Sequence, residues 1–311
     1  MDQATHLRRM VRGVPRRIYR IGKEADGGSF SGKNGPRVLA ITSGKGGVGK
    51  TNVVGNLAVA CQRRGKRVLI FDADLGLANI DIIFGINPRS SIEDVIKGEK
   101  ELSEVIVEGP EGVSVIPASS GVEKMAHLTE GQKINLLNEF DLLNRDFDIL
   151  LVDTGAGISQ NVIYFNLAAQ ERIVVVTPEP TSITDAYALM KIMFFRYGTT
   201  DFFLLLNMVR GETEARSVYE HMSRVVSRFM RGVSLEYAGF IPSDPLLRQA
   251  VGRRQPVVCC FPDTASSSRF DMLAEYLLDG VKSGPPDGNI KFFCKRLVTG
   301  ATDWDNEGTD Q

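Results

Sequence analysis

Seven short runs along this chain are apolar on nearly every residue: RVLAIT, RVLIFDA, GVSVIPA, FDILLVD, RIVVVT, FFLLLN and YAGFIP. A strand with one wetted face alternates apolar and polar side chains. These do not alternate, so they predict strands covered on both faces. Between them lie stretches with helical spacing, among them Asn52–Arg64, Ile183–Phe195 and Ala215–Met230. Strand and helix in alternation predict an α/β fold over residues 37–283, a doubly wound, mainly parallel sheet flanked by helices.

The first apolar run leads into Gly44-Lys45-Gly46-Gly47-Val48-Gly49-Lys50-Thr51, which fits GxxxxGK[ST] between a predicted strand and a predicted helix. Glycines let the backbone turn so that its N–H groups face phosphate oxygens, and the following helix adds its positive end. Lys50 is placed to neutralise β- and γ-phosphate charge, and the Thr51 hydroxyl to ligate Mg²⁺. Asp153 closes FDILLVD, and Asp72 and Asp74 close RVLIFDAD. Carboxylates at the C-terminal ends of parallel strands stand at the ligand-binding edge of such a sheet. Any one of the three could merely cap a turn. All three beside a phosphate loop point to a nucleotide hydrolase or switch.

One lysine suffices for a phosphate loop, and this loop carries a second, Lys45. In that respect KGGVGKT resembles the deviant Walker A loop of the MinD/ParA class of P-loop ATPases. The resemblance implies ATP and Mg²⁺ as ligands and an ATP-sandwiched homodimer, with Lys45 reaching the partner's phosphates in trans as an arginine finger does. DADLGLANID resembles switch I, which implies that Asp74 orients the attacking water and that Asp72 supports the metal. DTGAGI resembles switch II after the Walker B Asp153. TPEPTSITDAYALMK resembles the segment opening the dimer-facing helix, with Glu179 and Thr181 near the partner's nucleotide. LLLNMV and GFIPSDPLLRQAV resemble the adenine-side elements, implying Asn207 as base contact and Pro242 to Asp244 as pocket lining, with Asn52 following the loop. Within the class, DADLGLAN, EPTSITDAYAL and FFCKRL resemble the FlhG type (FleN, YlxH), ATPases that set flagellar number and placement. Where that type tends to read DTAAG, this chain has Gly155 and reads DTGAG.

Two appendages flank the core. Residues 1–23 carry arginines throughout, and residues 24–36 are a Gly/Ser-rich tether. Ala4, Leu7 and Val11 share a helical stripe. Asp2, Gln3, Ala4, Leu7 and Arg8 resemble the DQAxxLR activator element of FlhG proteins, which docks on the signal-recognition-type GTPase FlhF and stimulates GTP hydrolysis. In residues 284–300, Ile290, Phe293, Cys294, Leu297 and Val298 share one helical face with Lys291, Lys295 and Arg296 beside it, a pattern suited to an anionic membrane surface. Residues 301–311 are an acidic tail. The resemblance implies a cytoplasmic protein, peripheral at the inner face of the cell membrane when ATP-bound. Its implied partners are an FlhF-like GTPase, basal-body components and a flagellar transcription regulator.

Composition limits the alternatives. Net charge is -1, so any polyanion site must be local. Four cysteines without a CxxC pair read as reduced thiols and argue against a metal-cluster carrier. No apolar segment approaches the ~18 residues of a membrane span, and the basic start lacks the apolar run of a secretory signal. The competing function in the same class is division-site placement or DNA partitioning. A scaffold that binds nucleotide without turnover is disfavoured, because Lys45, Lys50, Asp72, Asp74 and Asp153 occur together.

Overall fold

The computed structural model describes residues 36–74, 79–117, 129–143 and 146–279. The activator stretch at Asp2–Arg8 and the membrane stretch at Ile290–Leu297 lie outside these residues. In chain order the elements are β1 (Arg37–Ser43), α1 (Lys50–Arg63), β2 (Val68–Ala73), α2 (Ile80–Phe84), α3 (Ile92–Ile96), α4 (Leu102–Val105), β3 (Val107–Glu108) and β4 (Ser114–Ile116). Then come α5 (Glu130–Leu143), β5 (Ile149–Ala156), α6 (Gln160–Ala168), β6 (Glu171–Val176), α7 (Pro180–Tyr197), β7 (Asp201–Val209) and α8 (Glu212–Phe229). The described chain closes with β8 (Ser234–Pro242), α9 (Pro245–Gly252), α10 (Val257–Cys260) and α11 (Ala265–Asp279).

All seven apolar runs are strands of one eight-stranded sheet, ordered β3-β4-β2-β5-β1-β6-β7-β8. Every pairing is parallel except β3 with β4. Successive residues of each central strand enter different cores, which is why the runs do not alternate in polarity. Leu39, Ile41 and Leu151 pack with α1 and α11 on one face, and Val38, Ala40 and Val152 with α3 to α6 on the other. Val174, Val176, Leu204 and Leu206 pack beneath α7 and α8. The order reverses around β1, so the loop after β1 opens at a switch point of the sheet, where such folds bind ligands. No helix of the described residues is long and apolar enough to cross a membrane.

Candidate nucleotide site

The phosphate loop runs from Gly44 to Gly49, between β1 and α1, and its shape is forced at two positions. Gly49 has φ 89°, in the left-handed region, and a Cβ there would lie 2.5 Å from Asn207 Nδ2. At Gly44 a Cβ would lie 2.1 Å from the Asp185 carbonyl carbon, so α7 packs directly on the loop. Two bonds fix the loop's base. The Ser43 hydroxyl donates to the Lys45 carbonyl at 2.7 Å, and the Gly157 N–H donates to the Ser43 carbonyl at 2.9 Å.

Asp72 and Asp153 are direct register partners in the parallel β2–β5 pair. The sheet thus buries two carboxylates side by side, each about 1% exposed. Burial, then the neighbouring Asp153, pushes the Asp72 carboxyl up to about 8, partly offset by N–H bonds from Asp74 (3.2 Å) and Ile80 (3.4 Å). Those bonds give Asp72 a second task beyond the expected metal support: it ties both ends of the switch I segment to β2. Burial likewise pushes Asp153 up to about 7, against the opposing effects of the Thr51 hydroxyl and the Lys50 ammonium. Among the described residues neither Asp153 oxygen completes a hydrogen bond.

Lys50, the first residue of α1, is itself buried. Desolvation lowers its pKa, while Asp153 and Asp74 raise it. Asp74 stands opposite switch II, and a methyl added at Gly155 would meet its Oδ1 at 3.5 Å. The expected cluster of Lys50, Thr51, Asp72, Asp74 and Asp153 is therefore assembled at one strand edge. A buried carboxylate with both oxygens unsatisfied among the described residues, beside the Thr51 hydroxyl, supplies the oxygen donors a divalent cation requires, so these residues fit Mg²⁺, while the Lys50 ammonium is a partner for phosphate and not for the ion. When bound, the ion would neutralise phosphate charge, with Thr51 and Asp153 holding it.

Lys45 points away from this cluster. Its ammonium donates to Glu179 Oε2 at 2.7 Å and to Thr181 Oγ1 at 2.9 Å, both at the start of α7. The three residues expected to act across a dimer thus meet one another within a single chain. Glu179 is the N-cap residue of α7 and Pro180 its first helical residue, which fixes where the acceptors stand.

On the adenine side, the Asn207 amide is used internally. Its Nδ2 donates to the Val48 carbonyl at 2.8 Å, and its Oδ1 accepts the Met208 N–H at 2.9 Å. Asn207 thereby pins the phosphate loop to the end of β7, a role not foreseen from the sequence. Met208, at φ 58° and 47% exposed, was also missed, because a methionine in an apolar run looks like core. Pro242 ends β8, and Asp244 caps α9 by accepting the Leu246 N–H at 2.8 Å. Burial raises the Asp244 pKa, but the Ser266 hydroxyl bond at 2.6 Å and backbone N–H bonds bring the net shift below the ordinary value. Asn52 follows Thr51 on α1 with its Oδ1 buried and unsatisfied, facing no partner among the described residues.

Comparison with known proteins identifies the family. The ParA family model, described as NUBPL iron-transfer P-loop NTPase, matches residues 35–278. The chain is 44% identical over 262 residues to the antiactivator FleN of Pseudomonas aeruginosa, covering 84% of this chain and 93% of that protein. It is 36% identical over 272 residues to the flagellum site-determining protein YlxH of Helicobacter pylori, covering 86% and 92%. Among solved structures it is similar to septum site-determining MinD complexed with Mg-ADP from Pyrococcus horikoshii. The TM-score there is 0.62 at 25% identity, covering 80% of this chain and 100% of that one. The chain belongs to the ParA family of P-loop NTPases, as a MinD-like, ATP-hydrolysing member related to FleN and YlxH.

Proposed function

We propose that this chain is an ATP-driven, dimerising switch that controls flagellar number and placement, cycling between cytosol and membrane. The observation that carries the reading is the separation of the two loop lysines. Lys50 is buried beside Asp153 and Asp74, whereas Lys45 is 38% exposed at its side chain and held, among the described residues, by surface groups of α7. A lysine so placed is available to a second copy's phosphates once the α7 contacts open, and in return Glu179 and Thr181 are freed to face that copy. Lys45 and Lys50 carry the charge stabilisation, and Asp74 orients the attacking water.

The relative named as a flagellum site-determining protein, together with the similarity to FleN, supports directing this switch toward flagellar assembly. Its N-terminus, through Asp2, Gln3, Ala4, Leu7 and Arg8, stimulates an FlhF-like GTPase. Basal-body components and a flagellar transcription regulator are its further partners. ATP-bound dimers present two copies of the 284–300 stretch to an anionic membrane, and hydrolysis returns monomers to the cytosol. The test is GTP turnover by the same organism's FlhF-like GTPase with a peptide of residues 1–23, against a Gln3→Ala, Arg8→Ala control. Stimulation lost in the control supports the flagellar reading. No stimulation, with DNA binding by the full chain instead, would favour partitioning.

A further inference from the structure

The edge of the sheet opposite the phosphate loop carries a basic and aromatic surface that the nucleotide cycle does not use. Helices α7 and α8 cover the same face of the sheet over one shared core, and both end at this edge. Their exit turns are joined, since the Ser234 N–H after α8 donates to the Thr200 carbonyl after α7 at 2.7 Å. Phe195 near the end of α7 is 61% exposed, and Phe229 at the end of α8 is 57% exposed. Arg196, Arg224, Arg228 and Arg231 stand exposed around them. None of the four is ion-paired to a carboxylate among the described residues.

The Arg228 guanidinium lies 5.4 Å from the Phe229 ring centroid, so charge and ring are presented together. Along α8 the first half carries Glu212, Glu214 and Glu220 with Arg216 paired to Glu212, and the second half carries Arg224 and Arg228 and no acidic residue. The helix dipole accounts for cations in a last turn. It does not account for two exposed phenylalanines beside them.

The same edge is where the described chain ends. Arg37, at the start of β1, bonds Glu171 and the backbone carbonyl of Leu277, which places the last turn of α11 here. Residues 280–311, with the stretch expected to meet a membrane, therefore depart from the edge where Phe195 and Phe229 stand. The exposed carboxylates here are Asp201, Glu236 and Asp279, of which Glu236 accepts the Tyr276 hydroxyl at 3.3 Å, against the four arginines.

We infer that this edge of the folded ATPase core is itself a docking surface for an anionic lipid bilayer, with Phe195 and Phe229 entering the interface and Arg196, Arg224, Arg228 and Arg231 meeting the headgroups. This rests on the reading that the chain visits a membrane. It adds that the core lies on the bilayer by this edge, nucleotide site outward, rather than hanging from its C-terminal stretch alone.

The test is cosedimentation of the full chain, with ATP and Mg²⁺, on vesicles of phosphatidylcholine containing phosphatidylglycerol. Arg228→Glu with Arg231→Glu should weaken binding about tenfold or more, and Phe195→Ser with Phe229→Ser should weaken it severalfold. ATP turnover stays unchanged in both, since the edge is remote from the phosphate loop. Phe229→Trp on a Trp304→Phe background supplies a direct readout, its emission quenched by brominated lipid. Core variants that bind like wild type, with the introduced indole unquenched, overturn the docking surface. If Phe293→Glu still abolishes binding in that case, the membrane reading survives. A wild-type chain that fails to sediment overturns both. Core variants that keep vesicle binding but lose binding to duplex DNA reassign the surface to nucleic acid and overturn the lipid proposal.

Discussion

Lys45 and Glu179 are joined at 2.7 Å within one chain, with Thr181 completing the ammonium's coordination. The pair is solvent-exposed, 38% and 64% at the two side chains, so its contribution to folding stability is small, about 0–1 kcal/mol. Glu179→Gln should therefore shift the thermal midpoint by only a degree or two. Lys45→Ala should lower ATP turnover by ~10³-fold while leaving ADP affinity nearly unchanged. Turnover assays over a range of protein concentration, with ADP titrations beside them, check both halves.

Asp153 keeps two carboxylate oxygens in the core that are unsatisfied among the described residues. Asp153→Asn should abolish ATP turnover yet raise the melting temperature of the nucleotide-free chain, because a buried charge is removed. Thermal melts with and without Mg-ADP separate the effects. Wild type should gain strongly from Mg-ADP and the variant little.

The same carboxylates set a pH dependence. Asp72 and Asp153 are held at about 8 and about 7 in the folded chain, against 3.8 for an ordinary Asp. A raised carboxylate means that the folded state binds more protons than the unfolded one, so stability falls as pH rises between about 4 and 8. The nucleotide-free chain should thus unfold at lower urea concentration at pH 8 than at pH 6, and Mg-ADP should narrow the difference.

Asn207→Ala removes the bond to the Val48 carbonyl and leaves the Met208 N–H without its acceptor. It should cost ~1–3 kcal/mol of stability and raise KM for ATP more than it lowers kcat. Denaturant unfolding and steady-state kinetics measure the two effects.

Gly155 departs from the DTAAG wording of the resembling type, but the space around it is not closed. An added Cβ would contact Val162 Cγ2 at 3.4 Å and Asp74 Oδ1 at 3.5 Å, ordinary van der Waals distances. Gly155→Ala should fold normally and change turnover by less than about threefold. A stopped turnover would show that Asp74 needs the room Gly155 leaves.

Every central strand was legible because a strand buried on both faces writes an unbroken apolar run, as FDILLVD and RIVVVT do. The edge pairing β3–β4 was not, because Val107–Glu108 is too short to carry a pattern. The short α2 to α4 helices were missed for the same reason. The site was legible where chemistry demands particular residues in order, as at Gly44–Thr51 and the strand-end aspartates. Bonds across distant segments left no trace in sequence. Asn207 to Val48 spans 159 residues, and Lys45 to Glu179 spans 134. Cys259 and Cys260 are free thiols and only half-buried, with Cys259 Sγ 4.0 Å from Glu111 Oε1.

The contact between Gly44 and the Asp185 backbone has a mechanical meaning. With no side chain between them, loop and helix have no soft material to absorb a displacement. A shift of the phosphate loop must carry the front of α7 with it, and Glu179 and Thr181 ride on that front. The chemical state of the bound phosphate can therefore be converted into the stance of a helix through two backbones in direct contact, as a cam drives its follower.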